Sequence, residues 1–309
     1  MPLAGLPIWT VAAPLVGWAL IAAGVFGVLG VDGGLALVWA AALVANVLAA
    51  VHHAEVVAHR VGEPFGTLIL ALAVTVIEVA LIVSLMLSAG EGASTLARDT
   101  VFATVMIILN GVVGLCLLIG AARHHEQTYV QLGVSAALTV LSAQLVLTLI
   151  LPTTSASGPV YAASQLAFVA VVSLVLYGTF VLVQTVRHRD YFLPVEAPHD
   201  ENVHAEPPSN ATTGLAGLFL FVSLAAVVLL AKILAPAVEQ AVLALGAPKA
   251  IVGVLIAALV LTPESIAAVK AALANRLQTS LNLALGSALA TIGLTIPAVA
   301  ALTLATGWR

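Results

Sequence analysis

The sequence predicts an all-α polytopic membrane protein of about nine transmembrane helices, and three observations predict it. Of 309 residues, 62% are apolar and 8% are charged, where an ordinary soluble domain carries roughly 25% charged residues. Ten Lys and Arg with 14 Asp and Glu cannot clothe a water-facing surface of that size, so much of the exterior must face lipid. The apolar residues also form continuous Ala, Val and Leu runs. These are about twice the length of the roughly ten-residue alternating strands of a membrane β-barrel, which excludes that class.

A spanning helix needs about 20 mostly apolar residues. Nine segments qualify, at 9–29, 35–58, 65–88, 100–121, 129–151, 160–186, 214–235, 249–273 and 279–304. The first resembles a signal peptide only superficially. Met1 to Trp9 carries no basic region and further spans follow, so it is expected to stay as a mature helix. The second ends in a histidine cluster, and the third carries Glu78 in its middle. The fourth holds Cys116, whose being the single cysteine excludes an internal disulfide or a thiolate metal cage. Arg187 to Thr213 is the longest polar stretch, with Asp190, Glu196, Asp200, Glu201, Glu206, three histidines and Pro207-Pro208, and is expected to be a solvated linker. The eighth segment contains Pro263-Glu264. The net charge of −4, with no basic stripe, excludes nucleic acid as a partner; lipid is the expected surroundings.

Orientation follows from Lys and Arg in short loops. An N-terminus in the cytoplasm puts Arg60, Arg123, Arg187, Arg189, Lys270 and Arg276 inside, against Arg98, Lys232, Lys249 and Arg309 outside. The polar linker is then cytoplasmic.

An ionisable group in the hydrocarbon region costs at least ~2.5 kcal/mol to insert, so a carboxylate there points to function. Glu78 and Glu264 both lie near mid-depth of their segments. Laying Phe65–Glu78 on Ile251–Glu264 without gaps puts Ala71 on Ala257, Val74 on Val260 and Glu78 on Glu264. The order of parts also repeats: a Pro near the helix start (Pro64, Pro248), a Gly soon after (Gly66, Gly253), a mid-helix Glu, a short loop and another helix. Four segments intervene, so the two Glu helices enter the membrane in opposite directions. That is an inverted repeat, a plan of secondary transporters that places the site at the midplane. Pro263 removes a backbone donor and crowds the Leu259 carbonyl, so the helix is expected to bend or break there. Thr75, Thr262, Asn110, Asn282 and Ser287 are further candidate oxygen ligands, or helix-to-helix hydrogen bonds. Hard oxygens suit Ca²⁺ or alkali ions, whereas soft metals would want His or Cys at mid-depth. A low dielectric penalises the carboxylates' charge, so when empty they hold protons, and proton and cation compete for one site.

His52, His53, Glu55 and His59 close the second segment, and His124, His125 and Glu126 follow the fourth. His52, Glu55 and His59 share a helix face at i, i+3, i+7. These histidines are candidates for pH sensing. The alternative of another class is a histidine-box membrane metalloenzyme, though no HExxH pair is present.

His52-His53-Ala54-Glu55-Val56-Val57-Ala58-His59-Arg60-Val61-Gly62-Glu63-Pro64-Phe65-Gly66-Thr67 with Glu78 resembles the first signature of bacterial calcium/proton antiporters. Leu261-Thr262-Pro263-Glu264, then Asn275-Arg276-Leu277-Gln278-Thr279-Ser280-Leu281-Asn282 and Gly286-Ser287, resembles the second. These belong to the cation/calcium exchanger superfamily, whose bacterial proton-coupled members include sodium or potassium/proton antiporters. The resemblance implies one leading helix (1–34), a five-helix first repeat (35–186), an acidic cytoplasmic loop (187–213) and a second repeat (214–309). The chain ends at Arg309, so the expectation is the inverted-repeat exchanger fold lacking its last two helices. It further implies a non-enzymatic, cofactor-free exchanger of the bacterial inner membrane. Glu78 and Glu264 would be its paired ligands, exchanging Ca²⁺, or alternatively Na⁺ or K⁺, for H⁺.

Overall fold

Long apolar runs in lipid can satisfy their backbone only within a helix, and the computed structural model shows that outcome. It describes residues 5–31, 33–62, 65–89, 93–155, 161–193, 208–248 and 250–306, where every element is helical. Eight helices are long and apolar enough to span a membrane: α1 Ile8–Val25, α2 Gly34–Val61, α4 Arg98–His124, α5 Gln131–Thr154, α6 Ala163–Arg187, α7 Asn210–Ala244, α8 Ala250–Leu273 and α9 Leu277–Ala305. Between α2 and α4 lies α3, Phe65–Ala89, a ninth apolar helix of 25 residues. The chain is thus an integral membrane protein.

Most boundaries shift by one to four residues from those expected, and two features differ more. Helix α7 runs on to Ala244 through Pro236, Glu239 and Gln240, nine residues beyond the predicted end. Helix α8 continues through Pro263, so of the expected bend or break the break does not occur. An interior Pro deletes one bond of the ladder, and the remaining bonds of a long apolar helix suffice to carry it through.

The helices group into two compact units, each drawing on both halves of the sequence. In the first, made from residues 1–97 and 201–260, α2 and α7 pack most extensively and α1 and α3 lie against both. Its core joins Val47, Ala50 and Ala54 of α2, Ile77 and Leu81 of α3, Ala226, Val227 and Leu230 of α7, and Val260 of α8. The buried alanines let the backbones approach closely, the usual basis of helix association in lipid. Helices α2 and α7 are antiparallel: Arg60 Nη2 donates to Asn210 Oδ1 at 2.6 Å, and His53 stacks on Phe219 further along. Pro14 of α1 has no N–H for the Thr10 carbonyl, and His53 Nε2 takes that place at 3.0 Å. Polar residues thus repair the backbone that proline interrupts.

The second unit, residues 98–200 and 261–309, is built on α9, whose Leu281, Leu285, Leu289 and Ile292 are buried. The first part of α9 packs on α4 and α5, and its later part on α6. Four helices carry a π-helical turn here: 107–112 in α4, 146–150 in α5, 183–187 in α6 and 291–295 in α9. Such turns are rare and frequently mark functional sites. The turn in α4 begins 29 residues after Glu78 and that in α9 27 residues after Glu264. Hydroxyls in the spans bond their own helix, as Thr139 does to Ser135 O (2.8 Å) and Thr148 to Gln144 O (2.7 Å).

Candidate functional site

A carboxylate in an apolar helix must be placed where protein rather than lipid surrounds it. Glu78 meets that requirement, being 2% exposed, and Thr75, one turn earlier on α3, is 6% exposed. Leu72 and Val76 occupy the exposed face of the same helix, at 57% and 43%. Val76 lies across the helix from Glu78 and faces out, so the carboxylate is turned inward, while Leu72, three residues before Thr75, borders the side that Thr75 occupies. Thr75 and Glu78 belong to the first unit.

The other candidates belong to the second unit. Glu264 and Thr262 lie half-buried on α8. Ser287, also half-buried, and Asn282 lie on α9, and Asn110 lies in the π-turn of α4 against which the first part of α9 packs. Asn110 is exposed, and its Nδ2 donates to Met106 O at 3.3 Å. Asn282 is engaged at both ends, since Oδ1 accepts from Gln278 Nε2 (2.9 Å) and Nδ2 donates to Phe192 O (2.6 Å). Asn282 therefore ties α9 to the turn after α6, and only the second lone pair of Oδ1 is left for a ligand.

The histidines take separate roles. His52 Nδ1 meets Glu55 Oε2 at 3.8 Å, as the i, i+3 spacing predicts. His53 is fully buried on the Thr10 carbonyl, whereas His59 and His125 are exposed. His124 bonds the Leu273 carbonyl at 2.9 Å. Among the described residues no group of three His, Cys, Asp or Glu stands close enough to hold a metal ion. Glu63, between the two candidate regions in sequence, lies outside the described residues, as does most of the acidic linker.

Further polar residues lie inside the bundle, of which only Gln278 belongs to a signature quoted above. Asn46, Gln144, Ser173, Ser223 and Gln278 are all essentially buried. For Asn46 and Gln144 a neutral amide at mid-span was the available signal, because such a group also needs a partner inside the bundle.

Known proteins resemble the chain along most of its length. The family described as sodium/calcium exchanger protein matches residues 16–186 and 215–307, leaving out the polar linker. A putative ionic transporter, y4hA, of Sinorhizobium fredii is 50% identical over 307 residues, 98% of this chain and 83% of its own. The sodium-potassium/proton antiporter ChaA of Escherichia coli is 36% identical over 267 residues, covering 86% of this chain and 72% of its own. Among solved structures, native YfkE aligns with a TM-score of 0.66 at 17% identity, over 94% of this chain and 80% of that one. The H⁺/Ca²⁺ exchanger CAX aligns with a TM-score of 0.69 at 15% identity, over 96% and 74%. These two likenesses show the fold.

Proposed function

The chain belongs to the sodium/calcium exchanger protein family, and on that basis we propose that it exchanges Ca²⁺ for H⁺ through Glu78 and Glu264. The observation that carries this reading is a carboxylate held 2% exposed in an apolar helix, with Glu264 at the aligned position of the counterpart helix. Two carboxylates with Thr75, Thr262 and Ser287 offer hard oxygens, the donors Ca²⁺ takes in flexible sets of six to eight. In the empty state the carboxylates hold protons, because a low dielectric penalises their charge. An arriving cation displaces those protons. Exchange results when only a loaded site, with cation or protons, changes the side it faces. The protein then sits in a bacterial inner membrane with a cytoplasmic N-terminus, and requires no cofactor.

A second reading, Na⁺ or K⁺ in place of Ca²⁺, is favoured by the sodium-potassium/proton antiporter among its relatives. The same oxygens serve those ions. Purified protein in vesicles with a preset pH gradient separates the two. Calcium is expected to collapse the gradient, with Na⁺ and K⁺ at equal concentration acting weakly. The reverse order establishes the second reading, and no collapse by any of the three removes both.

A further inference from the structure

A helix ends with carbonyls that have no partner in their own ladder. In the last turn of α8, the helix of Glu264, Ala271 O and Ala272 O accept from the N–H groups of Arg276 and Asn275, and another part of the chain adds side-chain donors to this turn. Gln127, between α4 and α5, donates from Nε2 to Ala272 O at 2.9 Å and to Asn275 Oδ1 at 3.1 Å. His124 Nε2 lies 2.9 Å from Leu273 O, and since a carbonyl only accepts, that nitrogen carries the hydrogen. The chain then reverses at Asn275 with φ +60°, a conformation Asn tolerates better than most residues. The same connection holds the start of α9, through Val130 N to Gln278 Oε1 at 2.7 Å.

Gln127 reaches this position because residue 120 is glycine. A Cβ there would stand 2.7 Å from Gln127 Cδ and overlap its Oε1. All these groups belong to the second unit, as does Glu264. Glu264 precedes Leu273 by nine residues in an unbroken helix, so a cap at the helix end fixes the height and rotation of the carboxylate about 13 Å away.

We propose that Gln127, backed by His124, is a positioning residue for Glu264. It caps α8 from outside and so sets the carboxylate's geometry toward the cation. This rests on the reading that Glu264 binds the transported cation.

The test is a double-mutant cycle on Gly120→Ala, Gln127→Ala and the pair, with Glu264→Gln in parallel. Each variant goes into vesicles at equal folded amount, and Ca²⁺, Na⁺ and K⁺ are titrated separately. Gln127→Ala is expected to raise the half-saturating cation concentration about three- to tenfold, up to the full energy of a lost hydrogen bond reaching the carboxylate, with a smaller change in maximal rate. Gly120→Ala is expected to do the same by displacing Gln127, and the pair to resemble either single variant, because alanine at 127 leaves nothing to displace. Should one variant fail to fold, the other carries the same test. An unchanged half-saturating concentration, or additive effects in the pair, overturns the positioning role. If Glu264→Gln still transports, it is the parent reading that has failed.

Discussion

Glu78→Gln and Glu264→Gln are each expected to lower cation-driven proton movement at least about 100-fold. Glutamine keeps the side chain's shape and one carbonyl oxygen. It removes the charge that attracts the cation and the group that carries the proton. Taking one member from a desolvated charged set costs about 3–5 kcal/mol, and every 1.4 kcal/mol is a factor of ten. The effect is checked in proteoliposomes with a trapped pH dye, at equal folded protein. Asp99→Asn is the matched control. Asp99 lies near the start of α4, 3.1 Å from Arg98 with both side chains partly exposed, and such a pair contributes under about 1 kcal/mol. Its loss should leave exchange within about twofold.

The second large effect falls on stability. Gly293 lies in the π-turn of α9 where α6 crosses it, and an added Cβ would stand 2.7 Å from Tyr177 Cγ and 3.0 Å from Gln144 Nε2. The Tyr177 Cβ is closer still, and since it is fixed by its backbone no rotamer change relieves the overlap. The surroundings are closed, with Ile292 at 0% and Thr291 at 4% exposure. Gly293→Ala therefore forces α6 and α9 apart, at a cost of about 1–3 kcal/mol. This should appear as a fall of several degrees in the melting temperature of detergent-solubilised protein. Gly111, in the π-turn of α4, meets only Ile107 Cγ2 at 4.0 Å, and Gly111→Ala should change stability by under about 0.5 kcal/mol. Equal losses in the two variants would mean that the turn's backbone, rather than the helix crossing, sets the cost.

Helix positions were legible because lipid demands length and apolarity, and both are written in consecutive residues. Glu78 was legible for the same reason, as a charge interrupting an apolar run. The end of α7 was not, since Pro236 and Glu239 look like a stop and the packed helix runs through them. Nor were the π-turns, whose extra residue depends on how α4 and α9 meet their neighbours. Asn282 was legible as a polar residue in a span, either ligand or hydrogen bond, but its partners were not: its two hydrogen bonds reach Gln278 and Phe192, the latter 90 residues away. The cap of α8 joins residues separated by 145 to 149 positions, and no local pattern announces a partner at that range.

In the proposed exchange, the carboxylates hold either protons or the cation. Proton release on cation binding to purified protein measures it most directly, by calorimetric titration of Ca²⁺ in buffers of different ionisation enthalpy. The wild type is expected to release protons as Ca²⁺ binds and to bind it less tightly in added acid, and Glu78→Gln/Glu264→Gln to do neither. Calcium binding with no proton released, or undiminished release from the double variant, would contradict the proposed exchange.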